Sequence, residues 1–203
     1  MNGTLRRCPW AERSEIERDY HDRVWGVPLH DEKGLFKMLC LEAMQAGLSW
    51  VTVLKKMNAL SSAFDDFDAT CMAAYDERKI AALMETKGII RNRLKIRAMI
   101  ANAGALLRLR EVHGSLDAFL WRYVDFRPIL NEWHDVSEVP ARTPLSARIG
   151  NDLKKLGFRF VGPTIVYSFM QAVGMVNDHL LACPFRNAPS GGAASLVCEE
   201  RRD

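Results

Sequence analysis

The chain has 203 residues, a mass of 23.0 kDa and a formal net charge of +3 at pH 7. That length can bury one substantial hydrophobic core, and a charge this small does not by itself identify a polyanionic partner. No apolar run approaches the roughly 20 residues of a membrane helix, and the amino terminus lacks the hydrophobic region of a signal peptide. We therefore expect a cytoplasmic protein with no membrane contact.

Cysteine spacing and the composition of the carboxyl terminus bear on domain organisation. The five cysteines are odd in number and widely scattered, which argues against a disulfide framework and leaves burial or metal binding as their roles. From residue 187 onward Gly, Ala, Ser and charged residues dominate. We expect a single domain at 1–186 and a disordered tail at 187–203.

Helical patterns dominate the chain. Asp31 is placed to cap a helix that carries apolar residues at intervals of three and four and ends at Gly47. Ser49 is placed to cap the next helix, and a short helix follows Asp68. Further helices are predicted at 77–84, 92–112, 115–124, 146–156 and 163–174, with an irregular segment at 126–144. Convincing alternating strands are absent, so the predicted fold is all-α.

Glu42 lies on the apolar side of the helix that follows Asp31. An unpaired buried carboxylate is costly, so Glu42 pairs with an internal arginine, extends to solvent at the edge of the apolar face, or lines a pocket. Trp50 lies just beyond the helix end, and Tyr20 and Trp25 lie in an aromatic segment. A carboxylate between flat aromatic walls suits a planar, cationic ligand.

Two half-sites for a metal stand at opposite ends of the chain. His179 and Cys183 are four residues apart, so on a helical turn both side chains project to one side. Cys8 and His21 have the chemistry of a second half-site that would complete a Cys2His2 tetrahedron. Taken alone, this spacing is explained more simply by a pair of buried core residues. Four protein ligands would make such a site structural, because no position stays open for a reactive water.

The segment 86–110 contains seven basic residues and no acidic one. One interpretation is the solvated face of an amphipathic helix. The other is a DNA backbone anchor, because the turn at Gly88 leads into a helix amino terminus that can bind one phosphate, with Arg91 and Arg93 beside it. The turn resembles a helix-hairpin-helix, although it lacks the commoner second glycine.

Several longer blocks of sequence resemble the 3-methyladenine DNA glycosylase I family. The resemblance extends from about Cys8 to Cys183. The matching blocks are YHDxxWGVP at 20–28, LExxQAGLSW at 41–50, GIIRxR at 88–93, FVGPTI at 160–165, SFMQA at 168–172 and VNDH at 176–179.

The resemblance implies a helix-hairpin-helix DNA glycosylase fold, in which one structural zinc ion ties the amino- and carboxyl-terminal segments together. The implied zinc ligands are Cys8, His21, His179 and Cys183. The implied base pocket uses Glu42 and Tyr20 as catalytic residues, with Trp50 and Ser168 binding the base. We expect Asp178 to be a structural carboxylate beside the zinc.

The implied activity is removal of 3-methyladenine from double-stranded alkylated DNA by base flipping, which leaves an abasic site. The implied DNA contacts are Gly88, Arg91 and Arg93 on the backbone. Leu48 either wedges into the space left by the flipped base or staples the core. No obligate protein partner is evident. The alternatives are a non-catalytic DNA-binding module, a glycosylase/lyase with a pocket lysine, and a zinc-stabilised helical interaction protein.

Overall fold

The structure is a computed structural model, which describes residues 6–187. The predicted tail beyond Asn187, and Cys198 within it, lie outside the described residues. The α-helices are α1 (Glu15–Arg23), α2 (Glu32–Gln45), α3 (Trp50–Leu54), α4 (Met57–Ala63), α5 (Ala69–Ala73), α6 (Glu77–Glu85), α7 (Arg93–His113), α8 (Leu116–Trp121), α9 (Pro144–Lys155) and α10 (Pro163–Ala172). Short 3-10 helices lie at Pro9–Arg13, Asp65–Phe67, Arg122–Val124, Val136–Glu138 and Pro184–Asn187.

Side-chain caps begin several of these helices, including the predicted cap at Asp31, whereas Ser49, also predicted to cap, gives α3 no side-chain cap. The Asp31 carboxylate accepts from the Gly34 amide at 2.7 Å, and the Asp68 carboxylate accepts from the Cys71 amide at 2.9 Å. Each cap satisfies one of the amides that has no partner within its helix. The caps therefore fix where α2 and α5 begin.

Some boundaries differ from the prediction. Helix α9 begins at Pro144 rather than at Ser146, because Thr143 is the residue whose side chain caps it. Helices α1 and α4 were not predicted. In α1 charged residues outnumber apolar ones, so a periodic apolar stripe is faint.

Two short strands are the exception to the all-α prediction. Strand β1 (Ile129–Leu130), inside the segment expected to be irregular, pairs in parallel with β2 (Val176–Asn177). The register places Ile129 opposite Val176. This ladder joins the segment after α8 to the segment after α10, and the rest of the predominantly helical fold is as expected.

Helix α2 lies near the centre of the molecule. It packs against α10, α7 and α8, and ten of its fourteen residues are buried. Helix α7 packs against α5, and α9 packs against α10. Glu42 is therefore placed by a helix that other helices cover on several sides. Within residues 6–187, no helix combines the length and the apolar character that crossing a bilayer requires.

Candidate active site and metal centre

A cavity of about 420 Å³ opens beside the carboxyl-terminal half of α2. Its wall combines aromatic side chains from three segments with polar side chains from α2 and α10. Residues from the predicted pocket that line it are Tyr20, Trp25, Glu42, Trp50 and Ser168. The fold thus brings together the side chains that the sequence expectation grouped, although they come from α1, α2, α3 and α10 and from the segment that follows α1.

Glu42 is the buried acid of this cavity. Its side chain is 3% exposed, and within the described part of the chain its Oε2 atom has no hydrogen-bond partner. No arginine pairs with it among those residues, so the alternative of an internal ion pair is not what the structure contains. Burial raises the pKa of Glu42 to about 8, because the charged form loses its hydration. The cavity wall therefore includes a carboxyl group that is mostly protonated at neutral pH.

Aromatic rings form one side of the cavity. The Tyr20 and Trp50 ring centroids lie 5.3 Å apart at an interplanar angle of 54°. The Trp50 Nε1 donor is buried without a partner among the described residues. Burial, and then the charge of Glu42, raise the pKa of the Tyr20 phenol, so it stays protonated. The cavity thus offers flat surfaces together with two polar groups that a ligand can satisfy.

Asp178 also lines the cavity, but its oxygens are already occupied. Its Oδ1 accepts from Asn131 and Trp133 at 2.6 and 2.8 Å, and its Oδ2 accepts from Tyr167 and Gln171, both at 2.7 Å. Four donors fill the lone pairs of a carboxylate. Asp178 therefore ties the segment after β1 to α10 and has no free oxygen for a substrate proton.

Four buried side chains form a cluster with the composition of a structural metal site. The ligand atoms of Cys8, His21, His179 and Cys183 all lie within 4.8 Å of one another. Cys183 Sγ lies 3.5 Å from His179 Nδ1 and 3.6 Å from His21 Nε2. Bonds of about 2.3 Å to sulfur and about 2.0 Å to nitrogen put tetrahedral ligands roughly 3.6 Å apart, so the cluster could hold a tetrahedral metal ion.

The backbone around the cluster differs from the sequence expectation. His179 and Cys183 were expected on a helical turn, but the segment between β2 and Pro184 is an irregular turn. The Cys183 amide donates to the Leu180 carbonyl at 2.8 Å, and this turn brings both side chains to one side. The spacing was informative although the helix was wrong.

Neighbouring groups orient both histidines of the cluster. His21 Nδ1 lies 2.8 Å from Asp22 Oδ1, which leaves Nε2 toward the cluster. His179 Nε2 lies 3.2 Å from the Trp25 carbonyl oxygen, which leaves Nδ1 toward it. A partner on the far nitrogen is the usual arrangement for a metal-binding histidine.

The pKa values of the Cys8 and Cys183 thiols are shifted in opposite directions. A hydrogen bond from the Cys8 thiol, and then those from His179 and His21, lower the pKa of Cys183. The same hydrogen bond raises the pKa of Cys8. The cluster therefore favours one thiolate already, and a thiolate is the form that binds metal. All four cysteines of the described residues are free thiols.

The turn between α6 and α7 is less basic than its sequence indicates. Arg93 and Arg97 both pair with Glu77 of α6, at 3.4 and 2.7 Å. Gly88 has a φ of +88°, and its carbonyl accepts from Lys56 at 3.0 Å. Arg91 is exposed on this turn. Because Glu77 comes from outside the segment 86–110, counting charges within that segment overestimated its free positive charge.

Leu48 lies on the exposed turn between α2 and α3, with 40% of its surface accessible. Gly47, with a φ of +75°, makes this turn possible. The core-staple alternative for Leu48 does not describe this placement, because the side chain lies outside the buried cluster.

The comparison with known proteins identifies the relatives of this fold and site. The sequence profile of the methyladenine glycosylase family matches residues 10–187. The chain belongs to the methyladenine glycosylase family. DNA-3-methyladenine glycosylase 1 of Escherichia coli (strain K12) is 45% identical over 179 residues, which cover 88% of this chain and 96% of that protein.

Other members of the methyladenine glycosylase family match over similar lengths. DNA-3-methyladenine glycosylase of Haemophilus influenzae is 42% identical over 182 residues, covering 90% of this chain and 98% of that protein. A structure of 3-methyladenine DNA glycosylase I from Staphylococcus aureus, which concerns 3-methyladenine recognition, superimposes with a TM-score of 0.87 at 37% identity. It covers 91% of this chain and 98% of that chain. Family membership makes this chain a DNA repair glycosylase.

A second turn that contains glycine lies between α9 and α10, and no role was predicted for it from the sequence. Gly157 has a φ of +98°, and Gly162 is the N-cap of α10 without a side-chain cap. Buried Asn102 holds both backbone groups of Arg159, at 2.7 and 3.2 Å. Gly157, Gly162 and Pro163 were the sequence features that could have indicated this turn and the start of α10.

Further residues of the cavity wall were also missed. Trp10 lies with its ring centroid 5.1 Å from that of Trp25, and Glu17 and Gln45 also line the cavity. Glu17 accepts from the Ser14 hydroxyl at 2.7 Å, at the start of α1. Because α1 was not predicted, its inward-facing residues could not be identified from the sequence, and Glu17 was not placed in the cavity wall.

Proposed function

We propose that this chain hydrolyses the N-glycosidic bond of 3-methyladenine in double-stranded DNA and leaves an abasic site. Family membership supports the reaction class, and one observation supports the choice of base. The buried Oε2 atom of Glu42, which has no hydrogen-bond partner among the described residues, belongs to the wall of an aromatic cavity, and a flat, positively charged base satisfies such an environment. The bond to a base inside a duplex cannot be reached, so the nucleotide must be extruded into the cavity.

Glu42 and Tyr20 are the proposed catalytic residues. When the cationic base enters, its charge favours the ionised form of Glu42, which then accepts hydrogen bonds from the edge of the base. Trp50 stacks on the face of the base, and Tyr20 completes the wall. Ser168 is a further base contact from α10. Unmodified adenine lacks the positive charge, so it gives up this ionic interaction.

Alkylation at N3 also makes the bond easier to break. The base leaves with the electron pair of the glycosidic bond, which neutralises its positive charge and leaves an oxocarbenium-like sugar. Water attacks that sugar carbon and releases a proton to solvent. No lysine lines the cavity among the described residues, so a lyase that uses a pocket lysine as its nucleophile does not fit.

We propose one structural zinc ion per chain, held by Cys8, His21, His179 and Cys183. The N···S distances of this cluster support the proposal. With four protein ligands the metal would supply no reactive water and would serve to join α1 to the segment after β2. We also propose that residues 1–186 form a single domain, because this link would join segments from its two ends.

The proposed DNA contacts lie on exposed turns. The turn at Gly88 binds a backbone phosphate with Arg91 and Arg93 beside it. The α9–α10 turn offers a helix amino terminus that has no side-chain cap. Leu48 fills the space left by the extruded base. We further propose that the enzyme acts in the cytoplasm without an obligate protein partner.

The direct test is incubation of methylated duplex DNA with the purified protein. We expect 3-methyladenine among the released bases, and strand breaks that appear only after alkali treatment. Breaks before alkali would indicate a lyase. Tight binding without base release would favour a non-catalytic DNA-binding module, and no DNA binding would favour an interaction protein.

A further inference from the structure

Lys95 is a buried lysine whose contacts lie outside the cavity. It occupies the first turn of α7, directly after the turn that carries Gly88 and Arg91. Only 6% of its surface is exposed. A buried ammonium group requires compensation, and among residues 6–187 no carboxylate pairs with Lys95.

The partners of Lys95 are carbonyl groups at the end of another helix. Its Nζ donates to the Met44 and Ala46 carbonyls, both at 2.7 Å. These carbonyls belong to the last turn of α2, where intrahelical donors run out and the helix dipole is negative. Lys95 therefore caps α2 from a different helix, 49 residues away from Ala46 in sequence.

The end of α2 that Lys95 caps leads into a functional turn. Glu42 lies one helical turn before it, Leu48 lies two residues beyond Ala46, and Trp50 begins α3. Within this exposed turn, the Leu48 amide donates to the Gln45 carbonyl, but Gly47 leaves the backbone otherwise permissive. A contact from α7 is thus well placed to fix its orientation.

We propose that Lys95 is a positioning residue, which holds the Ala46–Ser49 turn in the orientation needed for base extrusion and links that turn to the DNA-contacting α6–α7 turn. The inference rests on the proposed function. The Lys95 ammonium group donates to two carbonyls on the amino-terminal side of this turn. The backbone of Lys95 belongs to α7, the helix that follows Arg91. Docking of one turn on DNA would therefore fix the other.

The test uses Lys95→Met, which keeps most of the side-chain length but removes the donors. Lys95→Arg is the conservative variant. Lys79→Met is the matched control, at a half-buried lysine of α6 whose Nζ lies 3.8 Å from Asp65 Oδ2 and which does not line the cavity. All proteins are assayed at a temperature at which melting curves show them folded. The measurements are affinity for free 3-methyladenine, affinity for duplex DNA, and the single-turnover rate of base release at saturating enzyme.

We expect Lys95→Met to bind the free base and duplex DNA within about threefold of the parent, yet to release the base from duplex at least about tenfold more slowly, because small displacements at a reacting site are costly. Lys95→Arg should restore most of the rate, and Lys79→Met should match the parent. If Lys95→Met does not fold, Lys95→Gln, which keeps one amide donor group, should show a release rate lowered at least about threefold.

Two results would overturn the inference. One is an unchanged rate of release in the Lys95 variants. The other is a loss of free-base binding in proportion to the loss of release, because general damage to the fold affects both equally. Failure of the parent protein to release 3-methyladenine would instead refute the proposed function.

Discussion

Replacement of Glu42 by Gln separates the charge of this side chain from its shape. Burial raises its pKa from 4.5 to about 8, and the cavity contains no compensating partner among the described residues. The folded protein therefore retains a proton on Glu42 that the unfolded chain releases above about pH 4.5. Below about pH 4.5 the burial of Glu42 does not lower the free energy of unfolding through this difference in pKa. As the pH rises from there toward 8, the free energy of unfolding falls.

The magnitude follows from the two pKa values. A difference between 4.5 and about 8 corresponds to about 5 kcal/mol at alkaline pH, and to about 3 kcal/mol at pH 7. Glu42→Gln cannot ionise, so its free energy of unfolding should exceed the parent's by a few kcal/mol at pH 8.5 and approach it near pH 5. Other titrating groups are common to both proteins and cancel in the difference.

The functional effect of Glu42→Gln should have the opposite sign. Loss of a charge-assisted hydrogen bond costs about 1.5 to 3 kcal/mol, so release of 3-methyladenine should slow by about one to two decades while binding to undamaged DNA is unchanged. Glu42→Ala should cost more. The assay combines denaturant unfolding at several pH values with single-turnover release on the same preparations. A Gln variant that is less stable at every pH but releases the base at the parental rate would refute the assignment of the pocket.

Three further predictions concern pH, metal and DNA. The parent's base release at subsaturating enzyme should fall about fivefold from pH 8 to pH 7, because Glu42 must lose its proton to bind the cation, and a rate profile like that of Glu42→Gln would contradict this. Purified protein should contain one zinc per chain, and chelation or Cys183→Ala should lower its melting temperature; absence of stoichiometric zinc, or an unchanged melting curve, refutes this. Arg91→Ala should weaken binding to all DNA sequences alike and flatten the salt dependence by about one phosphate contact, with a smaller effect for Arg93→Ala because Glu77 already pairs with Arg93; sequence-selective loss would count against it.

Helix positions were predictable where a local rule determines them. The cap at Asp31 was identified correctly, because capping depends on a side chain and an amide three residues away. The predicted side-chain cap at Ser49 was wrong, because its hydroxyl pairs with the Thr52 hydroxyl at 2.8 Å and not with an amide of α3. Helix α1 was missed, since its few apolar residues give a weak period and its burial depends on α3 and the 3-10 helix at Pro9–Arg13.

The site was predictable in its residues but not in its long-range contacts. Helical periodicity placed Glu42 inward, yet only the fold shows that no partner meets it among the described residues. The spacing of His179 and Cys183 could not identify Cys8 and His21 as their partners over most of the chain, and the family resemblance supplied that link. Arg93 also appeared to be unpaired in the sequence, because Glu77, which pairs with it, lies outside the basic segment.

The most direct measurement of the central claim is chromatographic identification of the bases released from methylated duplex DNA, with the parent and Glu42→Gln proteins in parallel. The account predicts that the parent releases 3-methyladenine far in excess of unmodified adenine, that each released base leaves an abasic site, and that the Gln variant releases it one to two decades more slowly. Release of unmodified adenine at a comparable rate, or no release of 3-methyladenine by the folded parent, would contradict it.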